Sequence, residues 1–321
     1  MTLRTLTFII VCLFCATFAS VAPAQNNSKT AMLNAQPDVA LQELVNRAAQ
    51  TALTKFKDKN LQESNLAITL INLSDPQHPK QASFRGGEGI YPASVVKMFY
   101  LVMAHHLLED GKIKETDELR RALKDMIVDS SNDATGYVLD SITGTTSGTE
   151  LKGSELNKWA EKRNAVNRYF ASLGYTGINT NQKTYCEGPY GREQLFRGPK
   201  GENRNKLTTD AVARLLSEIV TRHAITPERS AAMMELMKRD FSGKSDNVDD
   251  QAHGFTAIAL EPGARLWSKA GWTSATRHDA AYIELPNGAR FVLVTFTTDH
   301  ANDREIIPTV ARVVIEGLSK K

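Results

Sequence analysis

Strand-like sequence occurs in two groups at opposite ends of this chain. In the first, Leu66 to Leu73 alternates and carries β-branched residues, Ser74 to Pro79 reads as a turn, and Gln81 to Arg85 can pair back as a second strand. In the second, Arg265 to Gly271, His278 to Leu285 and Arg290 to Thr298 read as three strands, the last two joined by the hairpin turn Asn287-Gly288. Everything between the two groups is helical or irregular. The simplest packing is an α+β domain: one antiparallel sheet of about five strands flanked by helices, with a mostly helical second lobe, about 95–240, inserted between the strand groups. A cleft is expected between the lobes.

The ends of the chain bound the rest. Met1 to Ala24 has one charge at Arg4, an apolar stretch from Leu6 to Phe18, and Ala22-Pro23-Ala24, the pattern of a secretory signal peptide over 1–24; a retained anchor is the alternative. Residues 25–37 read as a flexible leader and 38–321 as the folded domain. Of the three cysteines, Cys12 and Cys15 fall in the signal, so the mature chain holds Cys186 alone and no internal disulfide. Export to a bacterial periplasm, or secretion, follows. Losing Arg4 takes the formal charge from +3 to +2, with no basic patch that argues for nucleic acid. No phosphate loop or His/Cys metal cluster stands out, so neither cofactor nor metal is expected. The expected protein is a monomer with no stable membrane insertion after signal removal.

Asp38 caps an amphipathic helix carrying Val39, Leu41, Leu44, Val45, Ala48, Ala52, Leu53 and Phe56. After the first strands, Pro92 leads into an apolar run from Val95 to Leu108, which reads as a buried helix ending at Asp110-Gly111. That places Ser94 at its first turn and Lys97 one turn later on the same face. A serine hydroxyl needs a base within reach, and a buried lysine with a lowered pKa can be one. Capped core helix and nucleophile are both open on this stretch alone. Thr116-Asp117 begins another helix, and Ser130-Ser131-Asn132 lies in a helix-to-helix turn that can aim a hydroxyl and an amide into a cleft, or simply cap a helix. Glu150 to Leu173 reads as helical, Gly174 to Asn205 as a long irregular segment, Thr208-Thr209-Asp210 as the cap of a helix to Arg222, Pro227 as the start of another, and 302–318 as a closing helix.

Ser94-x-x-Lys97, Ser130-Ser131-Asn132 and Lys269-Ala270-Gly271, in this order and setting, resemble the three motifs of the penicillin-recognising serine enzymes: the class A β-lactamases and the penicillin-binding DD-peptidases. The resemblance spans nearly the whole mature chain and implies the β-lactamase/transpeptidase-like fold. It also implies roles. Ser94 would be the acylated nucleophile and Lys97 its proton partner, Ser130 would pass a proton to the leaving nitrogen, Asn132 would hold the substrate amide, and Lys269, before Gly271, would supply positive charge. The backbone N–H groups of Ser94 and Trp272 would form the oxyanion hole. The chain departs from the pattern at Ser131, usually Asp, and at Ala270, usually Ser or Thr, and Trp272 is expected to crowd the substrate edge. No E-x-x-L-N deacylation motif occurs in 174–205, where Glu187 is the substitute base and Glu193 the second choice. Arg277 or His278 could anchor a substrate carboxylate, or be structural. Ser245-Asp246-Asn247 lies too close to Lys269 to be the second motif.

The expected activity is an exported serine hydrolase acting through a Ser94 acyl-enzyme, with β-lactam hydrolysis named first. A DD-peptidase or esterase-like enzyme that deacylates slowly, acting on a peptidoglycan-peptide-like substrate, is the rival reading. A non-catalytic penicillin-binding or cell-wall module is the third.

Overall fold

The computed structural model describes residues 33–319, so the signal segment 1–24 and residues 25–32 of the leader lie outside the described residues. The strands are β1 (Gln36–Pro37), β2 (Leu66–Asn72), β3 (Lys80–Phe84), β4 (Lys238–Arg239), β5 (Arg265–Trp272), β6 (Thr276–Glu284) and β7 (Arg290–Thr298). They form one sheet in the order β1-β3-β2-β7-β6-β5-β4. β2 and β7 pair antiparallel from Leu66↔Thr297 to Asn72↔Phe291, which joins the two strand groups as expected. The sheet has seven strands rather than about five, and it is mixed, because β1 runs parallel to β3. The two additions are the edge strands. At two residues each they are too short to show alternation, and β1 ends the stretch read as flexible leader.

The helices are α1 (Val39–Lys55), α2 (Lys97–Glu109), α3 (Asp117–Ile127), α4 (Asn132–Thr143), α5 (Gly153–Arg163), α6 (Ala165–Ser172), α7 (Gly191–Arg197), α8 (Thr209–Val220), α9 (Pro227–Met237) and α10 (Ile306–Ser319). Their starts follow local chemistry: the Asp38, Thr116, Ser131 and Thr208 side chains each accept the backbone N–H three residues on. The sheet is covered on both faces. Leu44, Val45, Ala48, Val310 and Val314 of α1 and α10 pack on Leu66, Ile68, Ile283 and Leu293, while α2 and α8 pack on the other face against Ala67, Ile71, Val294 and Phe296. α2 is buried almost all round, as a helix at the centre of a domain must be.

The predicted helix 150–173 is broken at Asn164 into α5 and α6. The predicted irregular segment 174–205 differs more: it contains α7 and a packed polar network. Asn167, Asn179, Asn181, Asn203 and Asn205 hydrogen-bond one another or the backbone, and Tyr100 donates to Gln182 O at 2.6 Å. Polar side chains that satisfy one another can be buried as a layer, which periodicity does not reveal.

Candidate active site

The turn that carries Ser94 is held in place by two contacts. Ala93–Val96 is a 3-10 turn that runs directly into α2, and Ala93 sits at φ 46, a left-handed conformation costly for alanine, immediately before Ser94. His278, fully buried on β6, accepts from Thr297 N at Nδ1 (3.1 Å), so its Nε2–H donates to Tyr91 O at 2.9 Å and ties the segment before Ser94 to the sheet. Gly271 brings β5 against the same turn: a Cβ there would lie 2.7 Å from Ser94 N and 2.8 Å from Pro92 O, so only glycine fits.

Ser94 is partly exposed, and its hydroxyl makes no hydrogen bond to a described residue. Lys97 is fully buried and donates to Ser130 O (2.5 Å) and Asn132 Oδ1 (2.9 Å), with Ser130 Oγ at 3.2 Å. Burial pushes its amine down to about 7, partly opposed by Cys186 nearby, so a neutral base form is populated at neutral pH. From the sheet side Lys269 donates to Ser130 Oγ (3.0 Å), Gln251 Oε1 (2.6 Å) and Ala270 O (2.7 Å). Burial, then the Lys97 and Arg239 charges, lower its pKa as well. Two amines meeting at one hydroxyl disfavour a second proton, so one of them is available as base. Ser130 itself adopts φ 58, a second left-handed residue in the site. Ser94, Lys97, Ser130, Asn132, Lys269 and Gly271 are thus brought together.

Ser131, in place of the usual aspartate, caps α4 by accepting from Ala134 N at 3.1 Å. The Trp272 ring does not crowd the cleft. Side chains alternate along β5, so with Gly271 facing Ser94 the Trp272 ring lies on the other face, against Phe255, Ala270 and Ile307. Its backbone is the part that faces the site. Ser268 O accepts from Arg239, Ala270 N donates to Gln251, and Ala270 O accepts from Lys269, so even-numbered residues turn their polar groups to the outer edge and Trp272 N–H points there beside Ser94 N.

Other expected residues are placed elsewhere. Glu187 is exposed and hydrogen-bonds no described residue, and Lys97 has no carboxylate among its hydrogen-bond partners. Glu193 is fully buried, accepting from Arg163 Nη2 (2.7 Å), Tyr185 OH (2.8 Å) and Ser147 Oγ (2.9 Å). Arg163 also reaches Asp140, two helical turns along α4 from Asn132, so Glu193 belongs to a network that fastens the 183–193 segment rather than to the Lys97 cluster. Arg277 is 2% exposed and its guanidinium is tied to Asp249 Oδ1 (2.6 Å) and Val248 O (3.2 Å) over the Phe255 ring. The Ser245-Asp246-Asn247 triplet lies in a surface loop.

Sequence reasoning missed Gln251 and Arg239. Both bridge β5 to Ile127 O, at the end of α3, and no local pattern marks them because their partners are far away in the chain.

His278 and His105, the latter on α2 with no partner for either ring nitrogen, are both pushed by burial from 6.5 down to about 4. They stay neutral in the fold, whereas the unfolded chain binds a proton on each below pH 6.5. Stability is therefore lost as pH falls from 6.5 towards 4, by about 2–3 kcal/mol per histidine. Urea unfolding at pH 7 and 4.5 should show this loss, with His105→Phe showing a smaller one. An unchanged pH slope in that variant would refute the assignment.

No curated protein matches the chain. Among solved structures, PBP-A is similar over 90% of this chain and 100% of its own, at 18% identity and TM-score 0.62. A beta-lactamase from Sphaerobacter thermophilus covers 87% of this chain and 98% of its own at 17% identity and TM-score 0.60. Another, from Chitinophaga pinensis, covers 86% and 98% at 16% identity and TM-score 0.61. Likeness at these identities is likeness of fold. The family model described as the beta-lactamase enzyme family matches residues 118–318, well over half of the sequence and including Ser130, Asn132 and Lys269. With that match the chain belongs to the beta-lactamase enzyme family, and it is a serine hydrolase acting on amide bonds.

Proposed function

We propose that the protein opens β-lactam amides through an acyl-enzyme on Ser94. The observation that carries this reading is the Ser130 hydroxyl held between Lys97 and Lys269 beside the Ser94 turn. Lys97 Nζ takes the Ser94 proton as Oγ attacks the carbonyl carbon. The oxyanion is held by Ser94 N–H and Trp272 N–H. Ser130 gives its proton to the lactam nitrogen as the C–N bond breaks and regains one from Lys97. A variant of PBP-A is known as an acyl-enzyme complex with penicillin G, which supports the same step here. Asn132, bonded to Lys97, and Lys269, bonded to Ser130, would orient the substrate.

The second step is hydrolysis of the ester by water. The exposed position of Glu187, and the lack of a carboxylate among the described residues hydrogen-bonded to Lys97, favour slow deacylation, which is also how a DD-peptidase-like enzyme meeting a β-lactam would behave. We also propose that the chain is exported after loss of 1–24. The described residues contain no helix long and apolar enough to cross a membrane.

Intact-mass spectrometry of the exported protein during reaction with a chromogenic cephalosporin tests all of this. The expected result is a chain starting near residue 25 that gains one drug mass and releases product slowly, with Glu187→Gln releasing it at the wild-type rate. Fast turnover that stalls in Glu187→Gln would restore Glu187 as the deacylation base. Neither adduct nor product would remove β-lactams as substrates.

A further inference from the structure

We infer that Gln251 is a positioning residue for proton transfer through Ser130: it locks the Lys269 ammonium and ties the catalytic strand to the turn carrying Ser130. The inference rests on the acyl-transfer reading of the site. The Gln251 side chain is 7% exposed and its hydrogen-bonding capacity is fully used. Oε1 accepts from Lys269 Nζ at 2.6 Å and Ala270 N at 3.1 Å, while Nε2 donates to Ile127 O at 3.2 Å and Val128 O at 2.9 Å. Only one amide orientation is possible, because the flipped one would set an NH2 against two donors and an oxygen against two carbonyls. Gln251 thereby bridges β5, on the sheet side of the cleft, to the last turn of α3, two residues before Ser130.

Lys269 completes the argument. Its three hydrogens go to Ser130 Oγ, Gln251 Oε1 and Ala270 O, an acceptor for each N–H of an ammonium. The charged groups acting on it are Lys97 from α2 and Arg239 from β4, which oppose its charge, and Asp279 from β6, which favours it. Against two cations and full burial, the Gln251 oxygen is the closest acceptor that keeps Lys269 charged. A charged Lys269 must donate to Ser130 Oγ, which leaves the Ser130 proton free to point at Lys97 or at the leaving nitrogen. Without Gln251, Lys269 could release its proton and accept from Ser130 instead, turning that proton the wrong way.

The test has two readouts on the full chain. Carbon-13 NMR of the lysine Cε groups, with Lys269→Arg used for assignment, follows the titration of Lys269 without any substrate. Gln251→Leu should lower that titration by about one pH unit or more, and Gln251→Glu, of the same size and still an acceptor, should raise it. Stopped-flow acylation by a chromogenic cephalosporin should slow on the order of 10-fold to 100-fold in Gln251→Leu with little change in the binding constant, and less in Gln251→Glu. A Gln251→Leu protein that melts cooperatively and keeps the wild-type Lys269 titration overturns the inference. If that variant does not fold, an unshifted titration in Gln251→Glu does so. The expected NMR shifts with no lactam reaction even in the wild type would instead overturn the acylation reading and leave the role of Gln251 in holding Lys269 standing.

Discussion

Lys97→Met should slow acylation of Ser94 by about 100-fold to 10,000-fold while leaving substrate binding in place, and Ser94→Ala should abolish the covalent adduct altogether. The lysine effect is that of a lost general base: the amine reaches the Ser130 and Asn132 oxygens and stands one turn from the Ser94 hydroxyl, with burial pushing its pKa down to about 7. The sign of the pH dependence follows. The reactive form is the neutral amine, so the acylation rate should climb as pH rises from 6 through about 7 and level off above it. In Lys97→Met that limb should vanish, leaving a low, flat profile. A wild-type rate that falls between pH 6 and 8 would rule Lys97 out as the base.

Arg163→Met should destabilise the fold by about 3–5 kcal/mol, measured by urea unfolding at neutral pH. Arg163 and Glu193 are both fully buried, and their 2.7 Å contact is the centre of a network that also takes in Asp140, Lys183, Ser147 and Tyr185. Removing the guanidinium leaves the Glu193 carboxylate inside the protein with two hydroxyl donors and Lys183 at 3.7 Å. The cost is that of a buried charge left only partly compensated, more than of a lost contact. The double variant Arg163→Met, Glu193→Leu should accordingly recover a large part of the loss. A loss below about 1 kcal/mol in Arg163→Met would show that the network contributes little.

The sheet was legible because β2, β6 and β7 are long enough for side-chain pattern and turn chemistry to speak, down to the Arg290–Thr298 limits of β7. The placement of Ser94 and Lys97 at the start of a buried helix was legible because Pro92 and the apolar run from Val95 carry that meaning locally. What stayed hidden depends on distant partners. Gln251 is an unremarkable polar residue until the fold sets it between Lys269 and Ile127. Segment 174–205 looked like open loop because its asparagines, read singly, are turn formers, whereas in the structure they bond to one another. Trp272 was expected to crowd the substrate edge, but the strand's two-residue alternation turns its ring to the α10 side. Glu187 ranks ahead of Glu193 in the sequence, but which carboxylate lies inside is decided by Arg163, thirty residues from Glu193 in the chain.

The pairing of β2 with β7 has a consequence for how the molecule comes into being. β2 leaves the ribosome early, yet its partner runs from Arg290 to Thr298, near the end of the chain. Until that stretch has been made, β2 and β3 can form no more than a hairpin, the helical lobe has no complete surface to settle on, and Lys269 and Gly271 have no finished sheet to hold them against Ser94. Contacts so distant in sequence make folding slow and force it to be nearly all-or-none. A chain cut short before residue 290 therefore carries every motif residue but no working assembly of them, so activity itself certifies that synthesis has passed Thr298.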